Sequence, residues 1–242
     1  MKKALNFFTA HAARFFLLTV LLCGGLLCLI GIQRGKFDMD GLLTEANGMV
    51  FDLLVFAVLL SIYEKLREKR DKIERLHEEI DDYQGWEQPE ATYRIVGAVR
   101  RLNKLEVTEI DLSSCFLEGA NLRGAKLQNA NLEKAKLQGA ELSDAKLQDA
   151  KLARAYFLET KPQGASLLGA DFDSAYILDA TLTGADLREA TFTNTDFSDS
   201  TLQGAIVSKN WFDKLEEEKV IGREEIKQKY IIDENGILRG KQ

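Results

Sequence analysis

Three hydrophobic patterns follow one another along the chain. The first is a solid run: residues 15–32, FFLLTVLLCGGLLCLIGI, carry no charge. At roughly 1.5 Å per residue this is about 27 Å of helix, enough for a thin hydrocarbon core. A cleaved signal peptide would be shorter, and IGIQRGKFD lacks a small-x-small cleavage site, so an uncleaved span is the reading. A second span is expected over residues 46–63, completing a membrane hairpin within residues 1–63. It is weaker because Glu45 and Asp52 lie at its start. Glu45, Gly48 and Asp52 share one helix face, which can meet Gly24 and Gly25 of the first span. Glu45 and Asp52 thus form a candidate intramembrane polar site, with simple packing as the competing reading. Lys2, Lys3 and Arg14 precede the hairpin, and Lys65, Arg67, Lys69, Arg70 and Lys72 come after it. The basic flanks predict a multi-pass protein of a bacterial-type inner membrane with both termini cytoplasmic.

The second pattern is a stripe. Residues 64–84 form a charged helical stalk rich in helix formers, with Ile62, Leu66, Ile73, Leu76, Ile80 and Tyr83 at a and d positions. Two outcomes stand: a coiled coil making a homo-oligomer through residues 64–83, or a single helix packing on the domain C-terminal to it. The basic start of this helix also suits anionic lipid heads. Gly85 and Pro89 interrupt it. Residues 91–103 then read as an amphipathic helix, with Ile95, Val99 and Leu102 on one face, inside a capping segment 89–109.

The third pattern has neither helical nor strand period. From Leu112 to Val207, every fifth residue is a large apolar one in nineteen of twenty steps, with Pro162 the exception. Two positions before the centre sits a small residue in eighteen of the twenty steps, with unbroken alanine from Ala120 to Ala155 and with Ile110 and Cys115 the exceptions. A period of five with two inward positions requires a chain that turns a corner every five residues. Four segments close a square coil of twenty residues, and stacked coils pair at about 4.8 Å. Residues 110–209 therefore make about five coils, roughly 24 Å long.

The segments ANLRG, ANLEK, AELSD and ADLRE, starting at Ala120, Ala130, Ala140 and Ala185, resemble the pentapeptide-repeat motif A-(D/N)-L-x-x. The resemblance covers about 100 residues and implies a right-handed quadrilateral β-helix. The full expected architecture is that solenoid preceded by two transmembrane helices and a charged helical linker. Pro162 stands at an inward centre, where a bulge or loosened coil is expected. Solenoid ends need caps. The 91–103 helix suits one end, and Trp211, Phe212 and Leu215 on a short helix suit the other. Within residues 210–242, Asn235-Gly236 between apolar residues predicts a small hairpin.

Composition then narrows the function. Three cysteines and two histidines supply no clustered metal ligands, and the net charge of -6 weighs against direct nucleic-acid binding. No P-loop, G-x-S-x-G or metal signature is present, so the expectation is a non-enzyme without cofactors. One wall of the solenoid, with centres at 117, 137, 157, 177 and 197, carries Phe116, Tyr156, Leu158, Tyr176 and Leu178 at outward positions. Outward positions elsewhere are mainly polar. This wall is the candidate partner-binding surface, with aromatic stacking between coils as the alternative. Charge is uneven. Residues 162–207 hold Asp171, Asp173, Asp179, Asp186, Glu189, Asp196 and Asp199 against one base, Arg188, while bases outnumber acids in 117–161.

These features point to a membrane-tethered interaction scaffold for a protein partner, with lipid contact through the hairpin. Two alternatives remain. The family resemblance allows a DNA-mimicking, gyrase-protecting role, and Glu45 with Asp52 allows an accessory subunit of a transporter or channel.

Overall fold

The computed structural model describes residues 39–241, with side chains described from Asp52 onward. The predicted span 15–32 lies outside the described residues. The chain divides into two compact units, 1–68 and 69–242.

Of the first unit, the structure describes helix α1, Met39–Tyr83, which continues into the second unit. The expected separate span 46–63 is not a helix of its own. Nothing between Tyr63 and Glu64 breaks the helix, and strong helix formers carry it on without interruption. Among the described residues no helix is long and apolar enough to cross a membrane. The apolar side chains Leu54, Val55, Phe56, Val58, Leu59, Ile62 and Tyr63 are exposed. The a/d stripe of the stalk is split in its environment. Ile62 and Leu66 are exposed, whereas Leu76 and Ile80 are buried in the core of the second unit and Ile73 and Tyr83 pack against it. A coiled-coil seam over all of residues 64–83 would have to release that half of the stripe.

The second unit is a β-helix closed at both ends. Each wall pairs in parallel with the wall twenty residues on, as in Asp111 with Asn131, Asn131 with Lys151 and Lys151 with Asp171. The centres and the small residues two before them point inward and are buried, Ala125 only partly. The corner is a turn in which the small residue's N–H donates to the preceding centre, as Ala120 does to Leu117 (3.0 Å). The residue before it takes positive φ, at Gly119, Gly124 and Gly139 but also at Lys134, Arg154 and Glu159. That is the signature of a type II turn, and it explains why glycine, asparagine and aspartate are frequent two positions after a centre.

Where the small position is not alanine, the hydroxyl is satisfied inside. Buried Thr160 donates to the Phe157 carbonyl (2.9 Å) and Thr195 to that of Phe172 (2.7 Å). Ser200 does the same to Ile177. Pro162 is buried and the coil keeps its register, so no bulge forms. What is lost is one rung: the bridge between Lys161 and Thr181 is missing, because proline has no N–H for the Thr181 carbonyl, while the Thr181 N–H still reaches Thr160 (2.9 Å).

Three rungs join each wall to the next coil. On the wall of Leu117, the centre N–H donates forward to Lys136 (2.8 Å) and the corner N–H of Gly119 donates forward to Gln138 (2.8 Å). The N–H of Lys136 donates back to Cys115 (3.0 Å). Two bonds point forward for each one pointing back. The open edge of the first coil therefore presents an excess of carbonyls, and that of the last coil an excess of N–H groups. The two caps differ accordingly.

Helix α2, Pro89–Lys104, covers the first coil with Ile95, Val99 and Leu102 buried. Side chains supply donors to all four walls. Gln84 donates to the Ser113 carbonyl, Thr92 to Phe116 (3.0 Å) and Arg100 to Asn121 (3.1 Å). The Asn103 amide pairs with both backbone groups of Lys126, donating to the carbonyl (2.7 Å) and accepting from the N–H (2.7 Å). It replaces the strand that a preceding coil would have provided.

At the other end the tail supplies mostly acceptors. Helix α3, Trp211–Glu217, buries Trp211 and Leu215, with Trp211 edge-on to Phe192. The Glu218 carboxylate accepts from Phe192 N–H (2.7 Å), and the Glu218 carbonyl accepts from Asn194 (2.8 Å). Ile221 pairs in parallel with Asp196. After helix α4, Arg223–Lys229, strands β1, Tyr230–Ile232, and β2, Leu238–Gly240, form the antiparallel hairpin. Its turn is held by Asp233, whose carboxylate accepts from the N–H groups of Asn235 and Ile237 (2.9 Å each). The Gly236 and Leu238 carbonyls take the N–H groups of Val207 and Gly204 (2.8 Å each). A Cβ on Gly236 would lie 2.6 Å from the Val207 carbonyl oxygen, so this close approach requires glycine.

Candidate functional site

The solenoid brings four of the five predicted wall residues together. Tyr156 and Tyr176 occupy the same outward position in successive coils and pair as a parallel bridge. Their rings stack at 5.1 Å between centroids with planes 9° apart. Leu158 and Leu178 stand two residues on in the same coils. Tyr156, Leu158 and Tyr176 are 40%, 37% and 45% exposed, and among the described residues of the rod no other large apolar side chain is exposed to that degree. Leu178 is half-buried. The patch is bounded by charge: Lys136 precedes Tyr156 in the row and Asp196 follows Tyr176.

Phe116 does not join them. Lys136 lies between it and Tyr156, with its ammonium on Glu87 (2.6 Å). Phe116 is half-buried, and its carbonyl takes the Thr92 hydroxyl of the capping region. Asp52 is exposed on α1; Glu45 lies on the same helix, but its side chain is outside those described.

Beneath the patch the interior is aromatic. Phe157 tilts against Phe172 (5.7 Å), Phe172 stacks on Phe192 (5.6 Å), and Phe192 meets Phe197 (5.3 Å). The outer tyrosines therefore sit on a stiff, filled core. A stack such as Tyr156–Tyr176 contributes about 0.5–1.5 kcal/mol, so it steadies two coils, yet it leaves two broad ring faces in water.

Arg188 forks onto Asp186 (2.9 and 2.7 Å), and these bonds hold the Asp186 carboxyl below its usual range. Buried Cys115 sits at a small position of the first coil, where burial, then the nearby Asp111 and Asp81, push its thiol up to about 12. Among the described residues no cluster of histidine, cysteine, aspartate or glutamate could hold a metal ion. Two open grooves, of about 500 and 490 Å³, run beside α2. Sequence reasoning missed them. The signal was available: the five-residue register places Arg123 and Lys126 in the first coil, directly against the capping helix.

The sequence profile described as pentapeptide repeats matches residues 108–144, 140–177 and 175–209, in eight copies. Among solved structures, the chain is similar to the pentapeptide repeat protein Rfr23 from the cyanobacterium Cyanothece 51142. The two are 31% identical over 42% of this chain and 62% of that one, with a TM-score of 0.34. It is similar also to HetL from the cyanobacterium Nostoc sp. strain PCC 7120, a pentapeptide repeat protein involved in heterocyst differentiation regulation (34% identity, 41% of this chain, 49% of that one, TM-score 0.25). A third is QnrB1, a plasmid-mediated fluoroquinolone resistance protein (21% identity, 42% and 56%, TM-score 0.25). The chain thus spans less than two thirds of the length of these three structures. No curated protein matches it.

Proposed function

The chain belongs to the pentapeptide-repeat family through residues 108–209, and from that premise we propose that it is a non-catalytic interaction scaffold. Its β-helix, right-handed as the family implies, presents the Tyr156, Leu158, Tyr176 and Leu178 wall to a protein partner. One observation carries this reading: the exposed tyrosine stack with its flanking leucines, on a rod whose other outward positions are mainly polar. Aromatic side chains on a rigid support are the usual anchors of protein contacts. The interior of the solenoid is packed with its own leucine, phenylalanine and alanine side chains.

The proposal includes a membrane tether. Its support is the uncharged run at 15–32 together with the exposed apolar side chains of 54–63, since a helix segment apolar on all sides needs protein or lipid around it. The basic flanks of both segments favour a cytoplasmic rod. Carbonate washing of cell membranes should leave the protein in the pellet; release into the supernatant would remove the tether.

The scaffold reading is tested by a photoreactive residue at position 156 or 176 in cells, with adducts identified by mass spectrometry. A dominant protein partner is expected, lost on Tyr176→Asp. The absence of any specific adduct would reduce the patch to stacking between coils.

A second reading, DNA mimicry with protection of gyrase, draws support from the acidic distal coils alone. Relief of quinolone inhibition in a supercoiling assay would favour it over the scaffold.

A further inference from the structure

The end of the rod covered by α2 carries a set of cations that the partner wall does not use. Arg100 and Lys104 on α2 and Arg123 and Lys126 on the first coil line the open groove of about 490 Å³, with Glu106 the one acid among its lining residues. Lys126 pairs in the row with Lys146, so like charges sit directly opposite each other in adjacent coils, an unfavourable arrangement without an anion nearby. Two of these cations are already engaged. Arg100 donates to the Asn121 carbonyl, and Arg123 lies 3.5 Å from Asp144, both side chains well exposed. The ammonium groups of Lys104, Lys126 and Lys146 have no partner among the described residues. The carbonyl-rich edge of the first coil does not account for them either, because Asn103 has taken the Lys126 carbonyl. On the face of α2 that carries Arg100 and Lys104, two turns before Arg100, stands Tyr93, 80% exposed, lining the neighbouring groove with Arg100.

We propose that this groove, lined by Arg100, Lys104, Arg123 and Lys126, with Lys146 opposite Lys126 in the next coil and Tyr93 in the neighbouring groove, is a docking surface for anionic lipid headgroups. Unpaired ammonium groups on flexible stems suit a two-dimensional array of phosphates better than one fixed carboxylate. An exposed tyrosine beside bases is the composition found at headgroup level. The acidic distal coils and the net charge of -6 disfavour a nucleic acid. The surface is made of residues from 69–242 only.

The test uses the full chain in lipid nanodiscs, either pure phosphatidylcholine or phosphatidylcholine mixed with phosphatidylglycerol. The readout is the acetylation rate of each lysine by mass spectrometry, with Lys209 and Lys219 as references. Lys104, Lys126 and Lys146 should be protected several-fold in the anionic discs alone, and the protection should fade as salt is raised. For vesicles containing phosphatidylglycerol, Lys104→Glu and Lys126→Glu should each weaken binding by roughly five-fold or more, since each base near such a surface contributes that factor. Equal rates in both discs, with the protein associated with both, would overturn the groove while leaving the tether intact. Association with anionic discs only, with the lysines protected, would support the groove and remove the tether. Equal protection by inorganic phosphate in detergent would overturn the lipid assignment. So would lipid-independent protection that grows with protein concentration, the mark of a second copy.

Discussion

The two ends of the β-helix are closed by different chemistry, and the difference comes from the direction of the rungs. At the first coil the surplus groups are carbonyls, and the cap is a helix whose own N–H groups are engaged. Side chains must supply the donors, and Gln84, Thr92, Arg100 and Asn103 do so, one per wall. At the last coil the surplus groups are N–H, and an extended tail can offer backbone carbonyls. Glu218, Ile221, Gly236 and Leu238 accept there, helped by the Glu218 carboxylate and the Tyr230 hydroxyl. The charge gradient runs the same way, with cations around the carbonyl-rich end and acids toward the N–H-rich end. A solenoid thus has polar ends for the reason that a helix does: its unpaired groups are sorted by chain direction.

The largest effect is expected at the end that relies on apolar cover. Trp211→Ala removes a fully buried side chain that packs edge-on to Phe192, and should cost about 3–5 kcal/mol in denaturant unfolding of the full chain. Loss of less than about 1 kcal/mol would mean that the hairpin alone closes the end.

A pair of substitutions sharpens the polarity argument. Asn103→Asp turns a donor toward two carbonyls, those of Val107 and Lys126, into an anion, and should cost about 2–3 kcal/mol. Glu218→Gln keeps an acceptor for Phe192 N–H and should cost about 1 kcal/mol. Equal costs would contradict the sorting of donors and acceptors between the ends.

The smallest effect at neutral pH is expected at Cys115, whose place is held by Ala135 in the next coil. Its thiol in the fold lies near 12, above the ordinary 9.0, so the folded state favours the neutral form. Its stabilising contribution is complete below pH 9 and declines as pH rises toward about 12. Cys115→Ala should change stability little at neutral pH and flatten that alkaline decline in a series of melts. An unchanged alkaline slope would assign the loss to other groups.

Most of the rod was legible in the sequence because each inward position repeats: a centre every five residues, with a small residue two before it, fixes register, coil size and wall membership at once. The same arithmetic shows Lys136 standing between Phe116 and Tyr156, so the shortened patch was readable too. The caps were legible only as apolar residues. Trp211 and Leu215 announce themselves, but the pairing of Ile221 with Asp196 and of Gly236 with Val207 depends on backbone edges that no local pattern records. Asn103 is one polar residue at the end of a helix until the Lys126 backbone is placed beside it. The stalk stayed two-valued for a physical reason, since an a/d stripe packs as well on the core of its own chain, as Leu76 and Ile80 do, as on a second copy.

The central claim is that the outer tyrosines serve contact rather than stability, and unfolding of the full chain with Tyr156→Ser and Tyr176→Ser together tests it most directly. The account predicts a loss of about 1 kcal/mol, the size of one exposed stack. A loss of about 3–5 kcal/mol, the size of a buried aromatic, would contradict it and make the wall part of the rod's own structure.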